Sequence, residues 1–132
     1  MGRIDDPDVR DLLEKPNHAV IATLGADGSA HNAVVWLNVE DGAVAVNSAV
    51  GRRWPTDLER DPRATLLVWE LENPYRYVEI RGTSTATLEG ADEHIDVLAK
   101  KYTGQDKFGG RQPGEERIKF VIAPERVRYV AP

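Results

Sequence analysis

The chain is organised around residues 47–63, which read NSAVGRRWPTDLERDPR. An apolar run at 43–46 precedes this segment and predicts a strand, and Gly51 marks a turn. Pro55 then predicts the start of a short helix, and Pro62 separates that helix from the apolar run of the next strand. The segment therefore predicts a strand, a turn, a helix and the approach to a second strand, in that order.

Apolar periodicity and turn signals on both sides of this segment predict a mainly β chain with short helices. The predicted strands cover 19–24, 31–39, 43–47, 64–69, 75–88, 117–122 and 126–130. The predicted helices lie between Pro7 and Pro16, after Pro55, and over 91–102. Turns at 25–28 and 40–42 predict that the first three strands form a meander, and Gly82 predicts a bulge or bend.

Short strands joined mainly by hairpins favour an antiparallel barrel of six or seven strands, formed by a single domain over 1–132. A barrel of this size fills its interior with its own side chains. Any cofactor must then lie outside the barrel, and we expect it between two copies of the chain. The Gly-rich loop 104–114 is longer than a simple connection, which is typical of a mobile active-site loop or a disordered tip.

Composition narrows the function classes. With 17 Lys and Arg against 22 Asp and Glu, the net charge is −5, which disfavours a nucleic-acid partner. There is no cysteine, so disulfides and thiol catalysis are excluded. No stretch reaches membrane-spanning length and no signal-peptide pattern occurs, so we expect a cytoplasmic location and no membrane partner. His18, His31 and His94 lack partners at ligand spacing, so we expect no metal site.

Two adjacent arginines are the first candidate ligand-binding feature. Arg52 and Arg53 follow small residues and precede a helix start. Small residues let a ligand approach the backbone, a helix N-terminus offers unpaired N–H groups, and arginine adds paired donors, so a phosphate or carboxylate would fit. Solvated surface arginines are the other interpretation, because such pairs are common.

Aromatic residues near this segment are the second feature. They are Trp36, Trp54, Trp69, Tyr75 and Tyr77. Flat rings beside basic groups can enclose a planar ligand while the arginines hold its anionic tail. Filling of the core or of a dimer interface explains the same residues, and it explains Trp69 best because this residue lies in a continuous apolar run.

Four sequence pieces together carry a resemblance to a known family. They are Ala-Thr-Leu at 22–24 with Asp27-Gly28, the arginine-containing turn, LERDPR at 58–63, and YRYVEIRG at 75–82. The sequence resembles the pyridoxamine-phosphate-oxidase-like split-barrel proteins, and within them the actinobacterial branch of deazaflavin (coenzyme F420) dependent oxidoreductases. The most specific piece is Leu-x-Arg-Asp-Pro-Arg, placed after the third strand.

The resemblance implies a homodimeric split β-barrel of the FMN-binding type, with each cofactor in a cleft between subunits. It places Asn47, Ser48 and Ala49 along the ring system or its ribityl chain. It also implies that Arg52 and Arg53 hold the phosphate.

Further site residues follow from the same resemblance. Val34, Val35 and Trp36 match the strand that relatives place beneath the ring. Tyr75 and Tyr77 of the other subunit would border the ring or the substrate, and either Tyr77 or solvent would deliver a proton.

Trp54 departs from the family pattern, because many relatives carry a Lys at this position. Arg53 could replace the missing charge, or Trp54 could stack on the cofactor tail, or the site could have lost affinity. We therefore count Trp54 among the residues expected to contact the cofactor, and we keep these three alternatives open.

These observations favour an F420-dependent oxidoreductase that passes a hydride from the reduced deazaflavin to an unsaturated small-molecule acceptor. One alternative is an FMN-dependent enzyme of the same fold. Another is a non-catalytic protein that binds a flavin, a deazaflavin or a haem-derived ligand, and a third is a purely structural dimer.

Overall fold

The computed structural model describes residues 3–132, which form three helices and seven strands. The helices are α1 (Pro7–Glu14), α2 (Arg53–Arg60) and α3 (Ala91–Thr103). The strands are β1 (Ala19–Leu24), β2 (Ala30–Val35), β3 (Leu37–Glu40), β4 (Ala43–Ala49), β5 (Arg63–Trp69), β6 (Tyr77–Thr87) and β7 (Arg117–Val130). The prediction of a mainly β chain with short helices is confirmed. None of the helices in this described part is long and apolar enough to cross a membrane.

All seven strands form one antiparallel sheet in the order β2-β1-β5-β6-β7-β4-β3. The strands β2 and β3 are the two ends of this order, yet only Trp36 separates them in the sequence. Two consecutive peptide units reach at most about 7 Å. The two edges of the sheet must therefore lie close together, and the sheet curls into a half-closed barrel.

Both hairpins of the predicted three-strand meander are present, but they do not form one continuous meander. The strand β2 pairs with β1, and β3 pairs with β4, whereas β2 and β3 are not paired. The single strand predicted over 31–39 is two strands, because the chain leaves one sheet edge and joins the other at Trp36. The residues 33–37 are continuously apolar, so periodicity gives no sign of this change of edge.

The last two predicted strands are one strand, β7, which pairs with β6 along the whole length of β6. The register shifts between Arg81 and Gly82, so the bulge predicted at Gly82 is confirmed. A Cβ atom at position 82 would collide with the carbonyl oxygen of Ala123. Glycine at this position lets the two backbones approach where the sheet bends.

The interior of the curled sheet is filled by apolar side chains, as expected for a small barrel. The largest fully buried ones include Phe120, Leu66, Ile80 and Ile122. The helix α1 adds Val9, Leu12 and Leu13 to the same core. Burying one such side chain contributes roughly 1.5–3 kcal/mol, and the filled interior leaves the outer surfaces of the barrel as the place for a ligand.

Candidate functional site

Arg52 and Arg53 lie side by side at the start of α2. Gly51, with φ of 94°, turns the chain out of β4, and the helix begins at Arg53 rather than at Pro55. The Arg52 guanidinium is half exposed and lies 3.2 Å from a carboxylate oxygen of Glu115. Arg53 is exposed and makes no ion pair within the described part of the chain. Because the first N–H groups of a helix lack intrahelical partners, this basic corner combines guanidinium and backbone donors.

A buried carboxylate fixes α2 on the barrel. Asp57 is 5% exposed and accepts hydrogen bonds from Thr23 Oγ1 at 2.8 Å, His31 Nδ1 at 2.7 Å and Arg60 at 3.1 Å. Burial raises the pKa of Asp57, but the three hydrogen bonds outweigh burial and hold that pKa below its usual value. Sequence analysis missed this group because only the fold brings α2 onto β1 and β2.

A second polar cluster lies behind Arg52, between β4, β7 and α3. Arg117 donates to Glu115 at 2.6 Å, and both side chains are almost fully buried. Arg117 Nε also donates to Asn47 Oδ1 at 3.0 Å, and Asn47 Nδ2 donates to the carbonyl oxygen of Ala91 at 2.9 Å. The side-chain amide of Asn47 is therefore engaged by protein groups, and its predicted contact with a cofactor stays a prediction.

His94 on α3 completes this cluster. Its Nδ1 lies 3.1 Å from Asn47 Nδ2, and its Nε2 lies 2.8 Å from Asn38 Oδ1. Because the Asn47 amide is a donor, Nδ1 accepts and Nε2 carries the hydrogen. Burial lowers the pKa of His94 to about 4, although Glu40 acts in the opposite direction. His94 is thus a neutral structural group at neutral pH.

Three further residues predicted to bind the cofactor are buried. Ser48 is 2% exposed, Ala49 is 6% exposed and Trp54 is 8% exposed. The Trp54 ring packs against Phe120, with the ring centroids 5.5 Å apart. In this arrangement Trp54 holds α2 on the core, which leaves Arg52 and its neighbour as the charged groups of the corner.

The strand predicted to lie beneath the ring is divided by the change of sheet edge. Val34 is 73% exposed on the outer face of β2, whereas Val35 is buried in the core. Trp36 stacks on Tyr102 with centroids 5.3 Å apart, and Phe108 meets its ring edge-on at 5.9 Å. Val34 is the member of this group that is open to a ligand or to a second copy of the chain.

The loop 104–114 is anchored by specific contacts. The Phe108 N–H donates to the Asp96 carboxylate at 2.8 Å, and Arg111 donates to Asp92 at 2.7 Å. The Phe108 ring also lies 5.1 Å from the Arg117 guanidinium. These contacts join the loop to the polar cluster behind the basic corner.

The two tyrosines predicted for the site lie at the turn between β5 and β6. Tyr75 is 75% exposed, and the half-buried Tyr77 pairs with Trp69 and Val130 at the start of β6. Between them, Arg76 donates to Tyr129 Oη, Asp11 and Glu70, each at 2.8 Å. Arg76 thereby fixes this turn against α1 and against the end of β7.

The tyrosines and the basic corner are far apart within one chain. Ala49, three residues before Arg52, pairs with Arg117 at the start of β7, whereas Tyr77 pairs with Val130 at its end. The backbone of β7 between these two pairs is about 40 Å long at roughly 3.3 Å per residue, and it bends at the bulge opposite Gly82. The two halves of the predicted site therefore lie beside opposite ends of β7 in one chain.

The outer face of the sheet carries an exposed apolar row. Val20 on β1 has Val34 and Leu67 as its cross-strand partners, and all three are at least partly exposed. Beside this row, a cavity of about 450 Å³ is lined by residues that include Leu24, Ala30, Arg63, Arg81 and Glu125. The face is therefore apolar at one side and charged at the other.

An antiparallel sheet that curls around its own side chains, with its two end strands unpaired with each other and a basic corner outside, defines the split-barrel class of proteins. A family model described as pyridoxamine 5'-phosphate oxidase matches residues 5–131. The chain belongs to this family, and the family resemblance drawn from its motifs is confirmed.

Solved structures share this fold at low sequence identity. A protein described as an F420 reductase is 22% identical with a TM-score of 0.78, and the match covers 90% of this chain and 94% of that protein. The conserved hypothetical protein Rv2991 from Mycobacterium tuberculosis is 21% identical, with a TM-score of 0.76 and coverage of 96% and 84%. General Stress Protein 26 from Bacillus anthracis str. Sterne is 17% identical, with a TM-score of 0.70 and coverage of 95% and 92%.

Two further results concern relatives and metals. No curated protein sequence matches this chain. Over residues 3–132, no three side chains of the metal-binding types converge on a common point. The fold comparisons therefore support the family, and the choice of ligand must come from the chemistry of the site.

Proposed function

We propose that the chain is an oxidoreductase that binds coenzyme F420 between two copies of itself and reduces an unsaturated organic acceptor. The family membership and the fold shared with an F420 reductase support this proposal. When bound, the reduced deazaflavin supplies a hydride, and the acceptor takes up this hydride together with one proton.

The observation that carries the proposal is the position of the basic corner relative to the tyrosines. Arg52 and Arg53 can hold a phosphate, whereas the exposed Tyr75 and the half-buried Tyr77 lie beside the far end of β7 in the same chain. A second copy packed against the exposed row around Val34 can bring its tyrosines to the basic corner. A site shared by two copies is therefore the arrangement that these positions support.

The basic corner fits the phosphate of a flavin-type cofactor. Two adjacent guanidinium groups, one half exposed and one exposed, stand beside free N–H groups of an eight-residue helix. Within the proposal, Arg52 and Arg53 bind the phosphate, while Ser48 and Ala49 can contribute only backbone atoms on their buried strand. Asn47 would act by holding this strand against α3.

The remaining residues of the proposed site border the ring. Val34 offers an exposed apolar surface, Val35 supports its strand from the core, the half-buried Trp36 packs on Tyr102 beside it, and Tyr75 shields the ring from the partner chain. Tyr77 holds or delivers the proton that the acceptor needs, a role that it shares with solvent as a candidate donor.

A second candidate function is binding without turnover, or use of FMN instead of F420. The observation that favours it is the burial of Trp54 against Phe120, since this ring adds no donor for a phosphate. A site with two rather than three cationic contacts would bind its cofactor more weakly. Both alternatives predict the same pair of split barrels with a ligand between them, but they differ in the cofactor that binds and in whether an acceptor is reduced.

The test is a fluorescence titration of F420, and separately of FMN, into wild type and into Arg52→Ala/Arg53→Ala. Loss of both charge-assisted contacts should weaken binding by about 2 kcal/mol or more, which is roughly a 30-fold rise in Kd. The matched control is Arg3→Ala/Lys100→Ala, which removes the same charge from exposed positions and should leave Kd unchanged.

The outcomes separate the candidates. Binding of F420 that collapses in the double variant, followed by oxidation of the reduced cofactor by an unsaturated acceptor, supports the proposal. Binding with no turnover over a broad acceptor panel favours the non-catalytic protein, and tighter binding of FMN favours the flavin enzyme. Equal Kd values for the double variant and its control would refute the role of Arg52 and Arg53.

A further inference from the structure

A cluster of arginines lies on the outer face of β6 and β7, away from the basic corner at α2. Arg81, Arg126 and Arg128 line a cavity of about 380 Å³ together with Glu79. Three guanidinium groups against one carboxylate give this cavity a formal charge of +2, within a chain whose net charge is −5. The cluster is therefore a local concentration of positive charge on a protein that is negatively charged as a whole.

The strand register places like charges against each other in this cluster. Glu79 is the cross-strand partner of Arg128, which is a favourable pair, but Arg81 is the cross-strand partner of Arg126. Side chains at directly opposed positions have Cβ atoms about 4.5–5.5 Å apart, and like charges there destabilise a sheet. An anion placed between Arg81 and Arg126 would remove this repulsion.

The arginines are also free to bind. Arg81 is more than half exposed, and its nearest carboxylate oxygen, on Glu79, is 3.7 Å away, which is too far for a hydrogen bond. Arg126 and Arg128 are exposed and form no ion pair with any residue of the described chain. Each can therefore present its guanidinium to a carboxylate without breaking an existing contact.

The cluster lies on the same face as Tyr77. Residues 77, 79 and 81 alternate with the buried Val78 and Ile80, so their side chains point to the outer side of the sheet. At about 3.3 Å per residue, Arg81 is roughly 13 Å along the strand from Tyr77 and Glu79 is roughly 7 Å from it. A ligand of moderate length can reach both Tyr77 and the arginine cluster.

We propose that Arg81, Arg126 and Arg128 form an anion subsite that binds a carboxylate of the acceptor, and so select acidic over neutral acceptors. This inference rests on the proposed function for the role of Tyr77, whereas the anion binding itself does not depend on it. A polyanion such as nucleic acid fits poorly, because the surrounding protein is acidic and the cluster covers one small cavity.

The first experiment tests anion binding without any cofactor. Citrate serves as the probe, and the melting temperature is followed against sodium chloride at equal ionic strength. Citrate should raise the Tm of wild type above the salt reference, and this rise should be clearly smaller in Arg81→Gln/Arg126→Gln, while the control Arg3→Gln should respond like wild type. A residual rise in the double variant is expected, because citrate also stabilises proteins by exclusion from their surface and can bind at Arg52 and Arg53. Without citrate, the double variant should melt at the same temperature as wild type or higher, because a repulsive pair has been removed. An equal citrate response in wild type and in the double variant would overturn the subsite.

The second experiment tests the selection of acceptors. An α,β-unsaturated ketone that carries a carboxylate at the end of a chain about 10 Å long, the length that the strand spacing requires, is compared with its primary amide by kcat/KM in wild type and in Arg81→Gln/Arg126→Gln. The ratio of acid to amide should fall at least tenfold in the variant, mainly through KM, while the Kd for F420 stays the same. An unchanged ratio, or a Kd for F420 that weakens instead, would overturn the assignment to the acceptor.

Two controls keep the conclusions separate. If citrate binds as expected but no acceptor is reduced, the subsite is supported as an anion site and the proposed oxidoreductase function fails.

Molar mass by light scattering is measured for wild type and variant at the same concentration. A change of mass in the variant would show that the arginines belong to an interface between copies, and this would overturn the subsite.

Discussion

Replacement of Asp57 by Ala tests how α2, and with it the basic corner, is held on the barrel. Asp57 accepts three hydrogen bonds, and two of the donors are poorly placed to regain water, since Thr23 is 1% exposed and the His31 side chain is 24% exposed. The third donor, Arg60, is 42% exposed and can be rehydrated. A hydrogen bond to a charged acceptor contributes about 1.5–3 kcal/mol, so two of them at the lower value give a loss of about 3 kcal/mol.

Urea unfolding followed by fluorescence measures this loss, and a thermal scan should show a fall of Tm by about 10 °C for a chain of this size. Asp61→Ala is the matched control, because Asp61 also pairs with an arginine, Arg63, but does so at the surface. The hydrogen bond from Arg63 lowers the pKa of Asp61 to about 2. Solvent can replace that contact, so Asp61→Ala should change Tm much less. Equal losses in the two variants would refute the reasoning from burial.

The same substitution predicts a change in acid stability. The pKa of Asp57 is lowered in the folded protein, so its stabilising effect is present above the unfolded-state pKa of about 3.9 and is lost as the pH falls through the lower folded-state value. Wild type should therefore lose more stability below about pH 4 than Asp57→Ala does. The free energy of unfolding of both proteins is measured by urea titration at several pH values, and parallel curves against pH would contradict this prediction.

Two further predictions concern the bulge and the buried histidine. Gly82→Ala places a Cβ against the Ala123 carbonyl oxygen and should lower the free energy of unfolding by about 1–3 kcal/mol in urea, whereas Gly109→Ala, which meets open space, should have little effect. Burial lowers the pKa of His94 to about 4, so its neutral form contributes fully to the free energy of unfolding above the unfolded-state pKa near 6.5. This free energy should fall as the pH is lowered from about 6.5 toward 4, with a slope of up to about 1.4 kcal/mol per pH unit. The variant His94→Gln should show a shallower fall over this range, measured by urea titrations at several pH values.

Much of the fold is readable from the sequence because local signals and final structure agree. Pro7 after Asp6, together with Val9 and Leu12 at helical spacing, predicts α1 where it is found. Gly82 in the middle of an alternating run predicts the bend that the register shift confirms. In each of these places the local sequence signal agrees with the final structure, although the bend at Gly82 also needs the close approach of Ala123.

The rest could not be read from the sequence because it depends on contacts between distant residues. The change of sheet edge at Trp36 lies inside a uniformly apolar run, and the burial of Trp54 depends on where α2 meets Phe120. For the candidate site, the arginine pair and the tyrosines are recognisable as residues of a suitable type. The cluster of Glu115 and Arg117 with Asn47 becomes visible only when β4 and β7 are adjacent.

The one-residue connection at Trp36 has a consequence for how the chain reaches this fold. The strands on either side of it are neighbours in sequence, but each completes a different end of the sheet, so no local hairpin can form between them. Pairings such as β1 with β5 and β4 with β7 close long loops before they gain any stabilisation. A topology of this kind has a high contact order and folds on the scale of milliseconds to seconds. Until both halves have assembled, the unpaired edges of β2 and β3 are open to other chains, and this exposure favours aggregation. Rapid closure of the curled sheet would shorten the time for which these edges are exposed.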